Sequence, residues 1–297
     1  MKAALAALAL ALVAPLAAAQ ELTGTLKKIK DSGTITLGHR ETSIPFSYLD
    51  EKQQPIGYSM DICAAIVEEV KKELALATLN VKYNPVTSQT RIPLMSNGTI
   101  DLECGSTTNN LTRQKQVAFA PVTFITGTKL LVKKSSKIKT YKDLKNKTVV
   151  VTQGTTNERT IKALSDKDSL GIKFLNAKDH AESFLTVESG RAVAFAMDDI
   201  LLYGLVAKAK SPKDFEVVGE YLSYDPYGMM FRNNDDAFGV VVRRAIARFF
   251  GDAGQCNGPI KKVYAKWFTE KLPSGESMGV PLSPLLENVC RTNALPD

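Results

Sequence analysis

The sequence predicts an α/β protein built on mainly parallel sheet. Short β-prone runs alternate with helical segments along most of the chain. Several of those runs end in a polar loop just before a helix, the arrangement that delivers side chains to the carboxyl edge of a parallel sheet. A length of 297 residues suits two medium domains.

The elements can be read in order. Thr34 to Gly38 and Phe46 to Leu49 are β-prone, the second run closing in the polar turn Asp50 to Gln54. A helix follows, with Asp61 at its start and Ile62, Ile66, Val67 and Val70 on one face. Leu79 to Tyr83 is a strand, Ser88 opens a second helix that stops at Gly98, and Ile100 to Gly105 is a strand leaving toward a polar loop. Val122 to Val132 is β-rich. A second α/β run then begins with a strand at Thr148 to Val151, the loop QGTTNER and a helix from about Asn157. Ile172 to Phe174 is a strand, Ala181 to Ser189 a helix ending at Gly190, and Ala192 to Met197 a strand that delivers Asp198 and Asp199. A helix from about Ile200 to Lys208, a long amphipathic helix from about Asp236 to Phe250, and a last helix carrying Tyr264, Trp267 and Phe268 complete the pattern. No internal repeat is visible.

Residues 1–19 read as a secretory signal peptide: Lys2, an unbroken apolar run, then Ala17-Ala18-Ala19. The run is too short and Ala-rich for a membrane span, and nothing later approaches spanning length. Cleavage lowers the formal charge from +7 to +6 by the loss of Lys2. At 44% hydrophobic and 23% charged residues, the composition is that of an ordinary globular protein. The lysines, such as Lys71-Lys72, Lys133-Lys134 and Lys261-Lys262, are not interleaved with aromatics, so they read as solvated surface and not as a nucleic-acid platform. Export favours disulfides among Cys63, Cys104, Cys256 and Cys290. Cys256 and Cys290 share the C-terminal stretch and are the preferred pair. Cys63 and Cys104 pair if the helix of the first packs over the strand end of the second; otherwise they are two small buried residues.

The chemistry collects at strand ends. The first strand ends in Gly38-His39-Arg40, the third leads to Ser88 and Arg91, and the fourth to Ser106, Thr108 and Arg113. In the second half, Thr155-Thr156, His180 and Asp198-Asp199 occupy the corresponding places. Arginine forks pair bidentately with carboxylates, and hydroxyls and N–H groups at a helix start favour an anion. The aspartate supplies what an ammonium needs. Each residue alone has a bland reading: a surface arginine, a capping aspartate, a solvated histidine, a turn at GTT. His39 reads as structural. Together they suit a ligand with two carboxylates and one ammonium.

At these residues a resemblance becomes specific. GHRETSIPFSY, TSQTRIPL, ECGSTTNNLTRQK, VTQGTTNE, AKDHAESF and ESGRAVAFAMDD resemble the periplasmic glutamate/aspartate-binding proteins of ABC transporters, within the type II amino-acid-binding family. The similarity runs from about Leu26 to Phe268; Lys266-Trp267-Phe268 is typical of the whole family. The resemblance implies two α/β lobes joined by two crossover strands, residues 20–125 with 227–297 and residues 126–226, with the ligand cleft between them. It implies Arg113 for an α-carboxylate, assisted by Thr108, Thr155 and Thr156. It implies Asp198 for the α-ammonium with Ser106 nearby, and Arg40, Ser88, Arg91 and His180 for a side-chain carboxylate. Asp199 matches less well than Asp198. The implied protein is a periplasmic monomer with no cofactor or metal, no nucleic-acid partner and a membrane permease as its client. The rival expectations are a dehydratase-like enzyme on the same scaffold and a ligand-binding sensor. Against the enzyme, the sequence lacks a nucleophile elbow, metal-ligand spacing and a phosphate loop.

Overall fold

The computed structural model describes residues 22–252 and 254–293; the signal-peptide reading lies outside them. The first sheet is reached through helix α1 (Gly24–Ser32) and strand β1 (Thr34–His39). A small antiparallel sheet follows from β2 (Thr42–Ser43), β3 (Ser47–Leu49) and β4 (Pro55–Ile56). Next come α2 (Tyr58–Glu73), β5 (Asn80–Pro85), α3 (Arg91–Ser96), β6 (Leu102–Cys104), α4 (Leu111–Gln114) and β7 (Val117–Phe119).

The chain then leaves through β8 (Phe124–Thr126) and builds a second sheet. Its elements are β9 (Thr128–Lys133), β10 (Thr148–Thr152), α5 (Thr156–Lys167), β11 (Lys173–Ala177), α6 (His180–Glu188), β12 (Ala194–Asp198), α7 (Asp199–Ala207) and β13 (Phe215–Val218). It returns through β14 (Asp225–Tyr227) to β15 (Met230–Arg232), α8 (Asp236–Phe250), α9 (Ile260–Tyr264) with a π-helical turn to Thr269, and α10 (Pro284–Asn293).

The two five-stranded sheets share one plan. The first has the order β5-β1-β6-β15-β7 and the second β11-β10-β12-β9-β13. In each, three parallel strands sit beside an antiparallel fourth that comes from a chain crossing between the sheets. The crossings pair with each other: β8 and β14 form an antiparallel ribbon, Thr126 opposite Asp225 and Phe124 opposite Tyr227. The result is the two-lobed α/β architecture. Parallel strands in each lobe point their carboxyl ends at the other lobe, which creates the cleft.

Aromatic packing fixes the crossing. Phe124 lies 4.9 Å from Phe46 and 5.0 Å from Phe268 between ring centroids, and Tyr58 Oη donates to the Thr123 carbonyl. The terminal Trp267-Phe268 pair is therefore core material for the crossover, both residues being buried. Cys63–Cys104 joins α2 to the end of β6, and Cys256–Cys290 ties the stretch after α8 to α10, with Cα separations of 6.1 and 5.3 Å.

Local starts differ from the sequence reading in places. Ser88 does not open α3; Thr87 and Thr90 exchange hydroxyl–backbone hydrogen bonds in a turn, and the helix begins at Arg91. The helix carrying Asp61 begins one turn earlier, at Tyr58. The chain past Lys271, which carries no motif, forms α10 and buries Leu286 and Cys290.

Candidate functional site

A small cavity of about 10 Å³ lies where the two sets of strand ends face each other. With the lobes in contact the remaining space is about that of one water molecule, and its lining is mostly polar. Eight of the ten residues singled out from the sequence line it: Ser88, Arg91, Ser106, Thr108, Thr155, Thr156, His180 and Asp198. Arg40 and Arg113 are not among the lining residues but reach across to residues of the second sheet's loops and helices. Arg40 Nη2 is 3.4 Å from His180 Nε2. Arg113 Nη2 donates to the Gly154 carbonyl at 3.3 Å and its Nη1 to the Thr108 carbonyl at 2.8 Å.

The close approach of the lobes has a backbone cause. Gly154 has φ +77° and lies against the backbone of Gln89, where a Cβ would come within 2.8 Å of the Gln89 Cα. Only glycine combines that conformation with that contact at low cost. It sets the GTT loop directly over α3. Thr108 and Thr156 hydroxyls meet across the same seam at 3.3 Å.

The three arginines are 1%, 2% and 3% exposed at Arg40, Arg91 and Arg113. Burial lowers the pKa of all three, with arginine neighbours adding to the effect at Arg40 and Arg113; both fall to about 9. Among the described residues, none of the three has a carboxylate within 4.0 Å. Arg40 Nη1, Arg91 Nε, Ser88 Oγ and Ser106 Oγ are buried without a hydrogen-bond partner among the described residues. Buried donors are almost always paired in folded proteins, so this group of four is a site and not a core.

The opposite lobe supplies acceptors and helix starts. Asp198 stands at the N-cap position of α7 but makes no capping bond. Its carboxylate instead accepts from Asn157 Nδ2 at 2.7 Å and from Tyr227 Oη, which removes the bland capping reading. Burial raises its pKa to about 8, with the Asp225 charge adding to the rise. Thr155 does cap α5, accepting from Glu158 N at 3.0 Å while donating to Thr152 O, so it faces the cavity as a backbone N–H at the helix start. His180 is buried, and desolvation with Arg40 and Arg91 holds its pKa well below the usual range. Neutral His180 donates from Nδ1 to Thr152 Oγ1 at 3.0 Å, leaving Nε2 as an acceptor toward Arg40. Asp199 points away, bound to Thr126 Oγ1 and Tyr221 Oη, each at 2.6 Å. His39 also lies outside, its Nδ1 3.1 Å from the Arg40 carbonyl.

Sequence reasoning missed Asn157, Tyr227, Asp225 and the Glu103–Thr107 pair. Asn157 stands one residue beyond GTT, and Glu103 and Thr107 lie inside ECGSTTNN, so their signal was present in the motifs. Tyr227 and Asp225 flank Pro226 in the returning crossover, where nothing local marks them.

The family model of the bacterial extracellular solute-binding proteins, family 3, matches residues 35–270. The chain is 54% identical over 285 residues to the L-glutamate/L-aspartate-binding protein of Pseudomonas aeruginosa, covering 95% of this chain and 93% of that one. It is 49% identical over 276 residues to the glutamate/aspartate import solute-binding protein of Escherichia coli, with 92% and 90% covered. Among solved structures it is similar to an ancestral amino-acid-binding protein described as a precursor of cyclohexadienyl dehydratase. That match has a TM-score of 0.68 and 28% identity over 82% of this chain and 99% of the other.

Proposed function

Because the chain belongs to the bacterial extracellular solute-binding proteins of family 3, we propose that it captures L-glutamate or L-aspartate between its lobes and hands it to the permease of an ABC transporter. The observation that carries the reading is the set of three buried arginines with no carboxylate within 4.0 Å among the described residues. An uncompensated buried charge is costly, and a dicarboxylic amino acid supplies the missing partners.

In this reading Arg113 takes the α-carboxylate, with Thr108 and the start of α5 at Thr155 and Thr156. Asp198 takes the α-ammonium, held by Asn157 and Tyr227, with Ser106 beside it. Arg40, Ser88, Arg91 and His180 receive the side-chain carboxylate. The lobes are residues 20–125 with 227–297 and residues 126–226, and closure turns on the β8–β14 ribbon. The protein works as a monomer in the periplasm after cleavage near Ala19. The dehydratase-like alternative is not favoured: the relatives at 49% and 54% identity are named as binding proteins, and the dehydratase precursor is a more distant match.

A thermal-shift screen of the common amino acids tests this. At about 100 times its dissociation constant a ligand adds roughly 2.7 kcal/mol. Glutamate and aspartate should stabilise the protein on that scale. A screen in which neither acid shifts the transition overturns the reading.

A further inference from the structure

The motif ECGSTTNN contains a carboxylate that the ligand-binding roles do not use. Glu103 is fully buried on β6 and lies outside the cavity lining. Its Oε2 accepts from Thr107 Oγ1 at 2.7 Å, and Thr107 Oγ1 accepts in turn from Arg91 Nη1 at 2.6 Å. The direction of the relay is forced. Guanidinium only donates, so the Thr107 proton must go to Glu103. Glu103 Oε1 has no hydrogen-bond partner among the described residues. A Cβ on Gly105 would run into that oxygen and crowd the Arg40 stem. The glycine therefore makes the room that the Glu103 carboxylate and the Arg40 stem occupy on either side of it, while Glu103 reaches Arg91 through Thr107. Glu103 is also the first among the groups that support the charge of Arg40, Arg91 and Arg113.

Resting on the acidic-amino-acid reading, we infer that Glu103 is the resident counter-charge of the arginine pocket, acting on Arg91 through Thr107, and sets how strongly the pocket demands a charged ligand side chain. Two arginines facing one ligand carboxylate would otherwise leave an excess positive charge. With Glu103 behind them, the pocket presents about one net positive charge, the complement of one carboxylate. Glu103 is a positioning and charge-setting residue; it does not touch the ligand.

The charge and the geometry can be separated. Glu103→Gln keeps an acceptor for Thr107 and removes the charge. The pocket becomes more positive, so the ratio of glutamine to glutamate dissociation constants should rise by about tenfold, and the unliganded protein should melt lower. Thr107→Val keeps the charge and cuts the relay, so Arg91 loses its anchor and the same ratio should fall. A merely structural Glu103 would weaken both ligands alike and leave the ratio unchanged. Titration calorimetry of both variants and the parent reads the ratios. If Glu103→Gln does not fold, a fall of the ratio in Thr107→Val still supports the relay, and an unchanged ratio there overturns it. If the parent itself binds neither acid, it is the ligand assignment that fails; if the parent discriminates and neither variant moves the ratio, only the counter-charge inference fails.

Discussion

In the first lobe the strand ends present three buried arginines, whereas in the second they present Asp198, a neutral His180 and the start of α5. The two sheets follow the same strand plan, so the difference lies in the side chains placed at equivalent edges. Each half alone buries a group whose charged form burial makes costly: guanidinium on one side, a carboxyl group on the other. They do not neutralise each other directly, since no arginine of the set reaches Asp198 within ion-pair distance. A ligand that carries both charges bridges them. On the proposed reading, splitting the two groups between the lobes lets a bound zwitterion with an extra carboxylate favour the closed arrangement by pairing with both.

The largest way to break that comparison is at the cation assigned to the α-carboxylate. Arg113→Ala should cost roughly 3–5 kcal/mol of binding, the penalty for leaving one member of a buried ion pair uncompensated. That corresponds to a loss of about a hundredfold to a few thousandfold, read by calorimetry on a variant whose circular dichroism is native. Binding within a few-fold of the parent would assign the α-carboxylate to another group.

The lobes also differ in how they are held. All four cysteines are in the first lobe and the C-terminal stretch packed on it, closing loops with sequence separations of 41 and 34 residues. Loops of that length contribute about 2–4 kcal/mol each. Replacing Cys63 and Cys104 with alanine should therefore lower the melting temperature and loosen β6, just ahead of Ser106 and Thr108. Amide exchange in β10 and β12 should be little changed. Equal loss of protection in both sheets would show that the lobes unfold as one unit.

A third comparison sets acid against amide. The two guanidinium groups of the Arg40–Arg91 end only donate, so glutamine, whose one oxygen replaces two carboxylate oxygens, meets them less fully and leaves their positive charge uncompensated. Glutamine and asparagine should bind at least about tenfold more weakly than the acids. Glutamate and aspartate differ by one methylene, worth about 1–3 kcal/mol. Competition titrations with the four amino acids check the order; equal affinity for glutamine and glutamate removes Arg40 and Arg91 from the account.

Much of this was legible in the sequence because parallel strands deliver their polar ends to one edge. Arg40, Arg91, Asp198 and His180 could each be placed by counting from a β-prone run. The order of the shared sheet plan was not legible: the β-rich run Val122 to Val132 contains most of β9 but does not show that it pairs with β12, and β15 arrives from the returning crossing, remote in sequence from β6. The partners of Asp198 were hidden for the same reason: Tyr227 comes from the returning crossover, 29 residues away. Glu103 was hidden differently. Buried among apolar residues of a short strand, it reads as an exception to the pattern until Thr107 and Gly105 explain it.

The smallest expected effect tests the anionic lobe through pH. Asp198 is raised to about 8, first by burial and then by Asp225, while hydrogen bonds from Tyr227 and Asn157 and the nearby Asp199 modulate it. Its folded value stands above the ordinary 3.8, so the fold favours the protonated form. Stability of the unliganded protein from this group is full at low pH and is lost as pH rises toward and through about 8. Ligand binding has the opposite sign. An α-ammonium requires the carboxylate, so binding below pH 8 must release the Asp198 proton. Affinity should therefore tighten by about eightfold between pH 6.5 and 7.5, a little under the tenfold-per-unit limit for one proton. Calorimetry in buffers of different ionisation enthalpy should register close to one proton released at the lower pH. Asp198→Asn should abolish both the slope and the release while leaving the acid-over-amide preference of the arginine end in place. A flat profile in the parent protein would mean that Asp198 is already ionised before the ligand arrives, and that the second lobe, like the first, meets its ligand with its charge in place.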